Sequence, residues 1–267
     1  MNKVILVASW LLACFIFGSG FTGIESYWRS STKTAPENLQ IYLLIGQSNM
    51  AGRAPLESQD KDTLERVLLF TGIPPEYWEK AANPLNKYST IRKELNVQAL
   101  GPGYTFAKVM ALADPESEIG LVVNARGGTS INEWLPGTKY YQEAVSRSRI
   151  AMKSGTLKGI LWHQGESDIK EYNLYPGKLE SLVSALRKDL GVKDIPFVAG
   201  ELSEDKPGRM AFNRMLVALP GKISHFSVVS IKGLTTFDST HFDSKSQRIL
   251  GERFATEMIN LQKRFKN

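Results

Sequence analysis

Residues 40–52 have the sequence QIYLLIGQSNMAG, and this stretch organises the interpretation of the whole chain. The apolar run 41–45 has the length of a buried strand, and it ends at Gly46, where the backbone can bend sharply. Ser48 follows two residues later, at the point where a strand passes into a loop. Functional side chains of open α/β sheets commonly occupy that point. Ser48 is therefore a candidate nucleophile, and the alternative is a loop serine that is hydrogen-bonded to its neighbours.

Four further apolar runs have strand character, and helical patterns separate them. The predicted strands cover 40–45, 119–123, 160–163, 197–199 and 226–231, and the predicted helices cover 104–113, 140–153, 174–190, 209–219 and 244–265. This alternation predicts an α/β fold whose mostly parallel sheet is covered on both faces. The polar segments after the first four strands would then meet at one carboxyl edge.

The segment 52–101 is irregular, polar and contains four prolines, with a short strand or helix expected over 64–70. A long loop in a compact domain is usually functional, so we expect this segment to form the rim of a substrate cleft.

The composition is that of an ordinary globular domain, with 42% hydrophobic and 22% charged residues. The net charge of +6 is spread over the chain without a run of five basic residues. We therefore predict no nucleic-acid partner.

The first residues predict an export signal. Lys3 precedes an apolar run over 4–17, and small residues follow at 18–20, as in a secretory signal peptide. An uncleaved membrane anchor and a lipid-modified Cys14 remain alternatives. We therefore expect a signal or anchor over 1–20, a linker over 21–37 and one folded domain over 38–265. We expect a secreted or periplasmic protein, which the N-terminal segment anchors to a membrane in the alternative case. Cys14 is the only cysteine, so the folded part has no disulfide and no thiolate nucleophile.

Only three histidines are available as a catalytic base. His225 lies beside an apolar run, which favours a structural role, and His163 stands at a strand end, where either role fits. His241 lies in a loop before the last helix, three residues after Asp238. This spacing lets the carboxylate reach Nδ1 of the imidazole and leaves Nε2 free for Ser48.

Acyl transfer to a serine also needs hydrogen-bond donors for the oxyanion. Three candidates lie at the expected sheet edge: the N–H of Ser48, an N–H of Gly127 or Gly128, and the side-chain amide of Gln164. Each glycine also fits an ordinary turn, and Gln164 also fits a strand-end cap.

Metal and nucleotide cofactors are not expected. His163, Glu166 and Asp168 have a spacing compatible with metal binding, but no second ligand cluster accompanies them. The Gly-Pro-Gly sequence at 101–103 lacks both the dinucleotide glycine pattern and the P-loop lysine.

Four blocks of the chain together resemble the SGNH hydrolases: GQSNMAG at 46–52, ARGGTS at 125–130, WHQGESD at 162–168 and DSTHF at 238–242. The most similar branch is the sialate O-acetylesterase and acetylxylan esterase group, carbohydrate esterase family 6, and the resemblance extends over 38–261. It implies a flavodoxin-like three-layer αβα fold with a five-stranded, mostly parallel sheet and no cofactor.

The same resemblance implies catalytic roles. Ser48 would be the nucleophile, His241 the base and Asp238 the acid that orients it. Glu166 is the alternative acid, because it has also been considered for that role in this branch.

For the oxyanion, the resemblance implies the N–H groups of Ser48 and Gly128, with Gly127 as the alternate. Gln164 stands where the general SGNH pattern has asparagine. The candidate substrate-binding residues are Gln47, Asn49 and His163.

We therefore predict a serine esterase that removes O-acetyl groups from a carbohydrate of the sialate or xylan type. The alternatives are a lipase- or thioesterase-like SGNH hydrolase and a non-catalytic carbohydrate-binding protein of the same fold. Four aromatic residues are candidates for stacking on sugar rings, and we expect two or more of them to be packing or rim residues instead: Trp134, Tyr140, Tyr141 and Trp162. The sequence makes no prediction of the oligomeric state.

Overall fold

A computed structural model describes residues 38–264 of the chain. The predicted signal or anchor over 1–20 and the linker over 21–37 lie outside these residues. Within 38–264, no helix has the length and apolar character needed to cross a membrane.

The described chain contains seven strands and six α-helices, with short 3₁₀ turns between them. Strands β1 to β7 are Leu39–Gly46, Val67–Phe70, Trp78–Lys80, Glu118–Ala125, Thr156–His163, Phe197–Gly200 and Phe226–Val229. Helices α1 to α6 are Ser48–Ala51, Gly103–Ala113, Lys139–Ala151, Tyr175–Asp189, Arg209–Val217 and Ser244–Arg264.

The strands form one sheet in the order β3-β2-β4-β1-β5-β6-β7, and only β3 runs antiparallel to its neighbour. The five predicted strands are β1, β4, β5, β6 and β7. Numbered one to five along the chain, these strands lie across the sheet in the order 2-1-3-4-5, which is the flavodoxin-like order. The predicted fold class is therefore confirmed.

The predicted strand count was two too low, because β2 and β3 extend the sheet at one edge. β2 lies within the stretch predicted as a strand or helix, and β3, with the sequence WEK, has no apolar run. The segment 52–101 is therefore more regular than expected.

Helices cover both faces of the sheet because the side chains of β1 alternate between two apolar clusters. Ile41, Leu43 and Ile45 pack on the face covered by α3, α4 and α5, while Tyr42 and Leu44 pack on the face covered by α2 and α6. A strand buried on both sides has a continuous apolar sequence, as the run 41–45 does.

Candidate active site

The turn after β1 presents Ser48 because Gly46 allows two backbones to approach closely. Gly46 has φ +136°, and a Cβ at this position would lie 2.3 Å from the carbonyl oxygen of His163. The N–H of Gln47 donates to the same carbonyl at 2.9 Å, and the N–H of Arg126 donates to the carbonyl of Gly46 at 3.0 Å. These bonds tie the turn to the ends of β5 and β4. Ser48 then begins the short helix α1, with 7% of its surface exposed.

The loop before α6 brings His241 to Ser48. Nε2 of His241 lies 2.9 Å from Oγ of Ser48, although the two residues are 193 positions apart in the chain. Nδ1 of His241 lies 2.5 Å from Oδ2 of Asp238. The three side chains therefore form a continuous hydroxyl–imidazole–carboxylate chain at the carboxyl edge of the sheet.

Asp238 is held in its charged form. Its Oδ1 accepts the backbone N–H groups of Thr240 at 3.0 Å and His241 at 2.6 Å. Partial burial would raise the pKa of Asp238, but these bonds and the His241 ring outweigh burial and hold the pKa below its usual value. A charged carboxylate beside Nδ1 keeps the ring proton on Nδ1 and leaves Nε2 to accept a hydrogen bond from the hydroxyl of Ser48.

The side chain of Gln164 turns into the core. Its amide nitrogen donates to the carbonyl of Thr129 at 2.8 Å and to Asp168 at 2.5 Å. Its amide oxygen accepts the hydroxyl of Tyr175 at 3.0 Å. Both amide hydrogens therefore bond within the protein and the residue is 1% exposed, so this arrangement gives no support to the expectation that the amide donates to an oxyanion, which stays a prediction.

His163 is also turned inward, an arrangement that gives no support to its predicted contact with substrate. It is 0% exposed, its Nε2 lies 2.9 Å from the carbonyl of Glu201, and its ring packs between Phe242 and Phe254. Burial lowers the pKa of His163, with the Glu166 carboxylate and the Glu201 carbonyl opposing that shift. A buried imidazole of this kind stays neutral and structural.

Glu166 lies beside Ser48 but bonds to amides instead of to the imidazole. Its two carboxylate oxygens accept the side-chain amide nitrogens of Gln47 and Asn49, the latter at 3.0 Å. Gln47 and Asn49 are 2% and 0% exposed, and their amides bond within the protein, so their role as substrate-binding residues stays a prediction. The imidazole of His241 has Asp238, not Glu166, at its Nδ1.

Of the two candidate oxyanion glycines, Gly127 lies against Ser48. A Cβ on Gly127 would be 3.1 Å from Cβ of Ser48 and 2.9 Å from Nη2 of Arg53. Gly128 is exposed with φ +77°, and a Cβ there would lie 3.6 Å from Nζ of Lys93. The rim segment 52–101 thus places two cations against this glycine turn.

The aromatic candidates for sugar stacking lie mainly in the core. Trp134, Tyr141 and Trp162 are buried, and Tyr140 packs on Trp134. The exposed aromatic residue beside the imidazole is Phe237, which is 51% exposed and stacks on His241 with ring centroids 5.9 Å apart. Sequence reasoning missed Phe237. The signal that could have identified it is that an aromatic residue stands directly before Asp238.

Comparison with known proteins decides the family. A family model described as carbohydrate esterase, sialic acid-specific acetylesterase, matches residues 38–260. The chain belongs to this family. As a member, it is a carbohydrate esterase and therefore a carboxylic ester hydrolase. A probable carbohydrate esterase of Arabidopsis thaliana, At4g34215, is 32% identical over 243 residues, which cover 83% of this chain and 90% of the relative.

Solved structures agree with the esterase fold. The X-ray structure of the Arabidopsis protein superposes with a TM-score of 0.74 at 28% identity, covering 84% of this chain and 99% of that one. A carbohydrate acetylesterase from Xanthomonas citri gives a TM-score of 0.63 at 17% identity, covering 84% of this chain and 56% of that one. At that identity, the second likeness concerns the fold alone.

Proposed function

We propose that this esterase removes O-acetyl groups from a carbohydrate through an acetyl-enzyme in which Ser48 carries the acetyl group. The observation that carries the proposal is the hydroxyl–imidazole–carboxylate chain of Ser48, His241 and Asp238, with distances of 2.9 and 2.5 Å. An unassisted serine hydroxyl is a weak nucleophile, and an adjacent base that a third group orients is the usual way to activate it.

In the first half-reaction, Nε2 of His241 takes the proton of Ser48 while Oγ bonds to the acetyl carbon. The carbonyl oxygen becomes an oxyanion, and the N–H groups of Ser48 and of Gly128, or alternatively Gly127, stabilise it. The bond from the acetyl carbon to the sugar oxygen then breaks, and His241 gives its proton to that oxygen.

In the second half-reaction, His241 takes a proton from water as the water oxygen attacks the acetyl carbon. The bond to Oγ of Ser48 breaks, the serine recovers its proton from His241, and acetate leaves. Asp238 remains charged throughout and stabilises the imidazolium that forms in each half-reaction.

Hydrolysis of p-nitrophenyl acetate by the wild type and Ser48→Ala tests the nucleophile. We expect the variant to lose at least about a thousandfold in kcat, since loss of a triad member removes most of the chemistry. The matched control is Ser58→Ala, which removes an exposed serine of the rim and should leave the rate unchanged. Equal rates for the wild type and Ser48→Ala would contradict the proposal. Faster hydrolysis of an octanoyl than of an acetyl ester would favour a lipase-like enzyme.

The charges at the glycine turn favour an acidic sugar over a neutral one. Arg53 and Lys93 both approach this turn, and neither is ion-paired to a carboxylate within 4 Å among residues 38–264. Burial lowers the pKa of Arg53, with Glu94 opposing that shift, but an arginine stays charged at neutral pH. A sugar carboxylate beside the acetyl group would pair with these cations, as an O-acetylated sialate would.

Deacetylation of O-acetylated sialic acid and of acetylated xylo-oligosaccharides, by the wild type and Arg53→Gln, tests this choice. We expect Arg53→Gln to lower kcat/KM about tenfold for the acidic sugar, because a charge-assisted hydrogen bond is lost. The rate on the neutral sugar should be unchanged. A wild type that prefers the xylo-oligosaccharide would support the xylan-type assignment instead.

A further inference from the structure

The His241 loop needs support from outside itself if the imidazole is to stay in place. Residues 237–239 are exposed, and Ser239 has φ +61°, which is unusual for a residue with a side chain. The loop closes on itself through the bond from the N–H of Phe237 to the carbonyl of His241, at 3.0 Å. This bond shapes the loop but does not tie it to the Ser48 turn.

The side chain of Asn49 supplies such a tie. Its amide nitrogen donates to the carbonyl of Thr240 at 3.1 Å, and its amide oxygen accepts the N–H of Phe242 at 3.1 Å. These are the two residues on either side of His241. Asn49 itself follows Ser48 in the chain and is 0% exposed. The rigid amide group of Asn49, the residue next to Ser48, therefore bonds to both residues that flank His241.

Glu166 determines which way this amide points. A carboxylate accepts hydrogen bonds and does not donate them, so Oε1 of Glu166 selects the nitrogen end of the Asn49 amide, at 3.0 Å. On the other end, the amide of the buried Gln247 donates to the oxygen of Asn49 at 3.3 Å. If the amide were reversed, its oxygen would face the carboxylate and its nitrogen would face the N–H of Phe242.

We propose that Asn49 is a positioning residue that holds His241 in register with Ser48, and that Glu166 acts on the reaction through Asn49. The proposal rests on the catalytic roles proposed above for Ser48 and His241. It gives Glu166 a role in activity that does not require contact with the imidazole or the substrate.

A double-mutant cycle in kcat tests the proposal, with Asn49→Ala, Glu166→Gln and the double variant. We expect Asn49→Ala to lower kcat about a hundredfold with little change in KM, the cost of a small misplacement of a catalytic group. We expect about a tenfold loss in Glu166→Gln, which keeps only one acceptor for the two amides. The double variant should match Asn49→Ala alone, because coupled residues do not give additive free energies. A loss near the product of the two single losses, or a normal kcat in Asn49→Ala, would overturn the proposal.

The matched control is Asn213→Ala. Asn213 is 2% exposed, and its side-chain amide accepts the N–H of Leu202 and donates to the C=O of Leu202, both at 2.8 Å. Thermal unfolding shows whether each variant is still folded, and so separates unfolding from misplacement of His241. Both alanine variants remove a buried amide that bonds on two sides, but only Asn49→Ala should lower kcat of the folded protein. If Asn49→Ala does not fold, Asn49→Asp replaces it, because aspartate keeps the shape and removes the donor. A normal kcat in that variant would also overturn the proposal.

A readout without turnover separates this proposal from the proposed function. The ring proton on Nδ1 of His241 can be followed by NMR in the wild type, Ser48→Ala and Asn49→Ala. We expect its resonance to persist in Ser48→Ala and to broaden or disappear in Asn49→Ala. This result in a protein without esterase activity would leave the positioning role standing while the proposed function failed. A resonance unchanged in Asn49→Ala would overturn the positioning role.

Discussion

The last loop and the third sequence block both carry a histidine and carboxylates, yet they use them in opposite ways. In the last loop, Asp238 is exposed and His241 half-buried, and Nε2 of the imidazole reaches Ser48. In the third block, His163 and Gln164 are buried, and Nε2 of His163 and the side-chain amide of Gln164 bond to the protein itself. The last loop thus directs Nε2 of His241 at the hydroxyl of Ser48, whereas His163 and Gln164 of the third block bond to other parts of the protein interior.

This comparison explains why residue type alone does not assign the roles of residues around the site. A histidine at a strand end and a histidine in a loop are chemically the same residue. Burial lowers the pKa of His163 and keeps it neutral, whereas a charged aspartate orients His241. The position of each ring relative to the core, not its identity, separates a structural histidine from a base.

The largest effect should come from the last loop. His241→Ala removes the group that we propose takes the proton of Ser48, so we expect kcat to fall by about 10⁴-fold or more. Circular dichroism should show an unchanged fold, because the ring lies at the edge of the structure. His225→Asn is the control: it removes a histidine at φ +51°, a conformation that asparagine tolerates, and should leave kcat unaltered. An active His241→Ala variant would remove the distinction between the two regions.

The third block should respond in stability. Gln164→Ala leaves the carbonyl of Thr129 without its buried donor and the carboxylate of Asp168 with only the N–H of Ile131 among its buried donors, and we expect it to lower the free energy of unfolding by about 2 to 4 kcal/mol. Urea unfolding measures this loss, and Gln142→Ala, at an exposed position, should change it by about 0.5 kcal/mol or less. Unchanged stability with a hundredfold loss of kcat would instead restore Gln164 as an oxyanion donor.

The smallest effect concerns pH. Burial lowers the pKa of His163 below 6.5 in the folded protein, so below pH 6.5 the unfolded chain binds a proton that the folded protein does not. Stability contributed by neutral His163 is therefore complete above pH 6.5 and is lost as the pH falls from there toward the folded pKa. His163→Gln does not titrate and keeps a donor for the carbonyl of Glu201. Between pH 7 and pH 5, the urea midpoint of His163→Gln should fall less than that of the wild type. An equal fall in the two proteins would contradict a neutral buried imidazole.

The core of the fold could be predicted because its strands are continuous apolar runs between glycine-rich turns, as the run 41–45 shows. The edge strand β3 could not, since Trp78–Lys80 has a single aromatic residue and lies in a proline-rich segment. Pairing with β2, not an apolar pattern of its own, makes this segment a strand.

The site could be predicted in part. Ser48 and His241 were identified because hydroxyl, imidazole and carboxylate form a recognisable set, and the structure brings the three groups together. Side chains alternate along a strand, so His163 points to the same face as the buried Leu161, two residues earlier. This inward direction was available from the sequence, but a histidine at a strand end suggested a functional role instead. Arg53 was missed because nothing in its local sequence shows that the chain returns it to the Ser48 turn, and Phe237 because an aromatic residue before Asp238 does not by itself show that it stacks on His241.

The central claim is that Asp238, not Glu166, orients the base. The most direct test is the ratio of kcat/KM for Asp238→Asn and Glu166→Gln on the same acetyl ester at pH 7. We predict a loss of about 10³-fold or more in Asp238→Asn, which favours the wrong imidazole tautomer, against about tenfold in Glu166→Gln. A reversed order, with Glu166→Gln inactive and Asp238→Asn close to the wild type, would contradict the account.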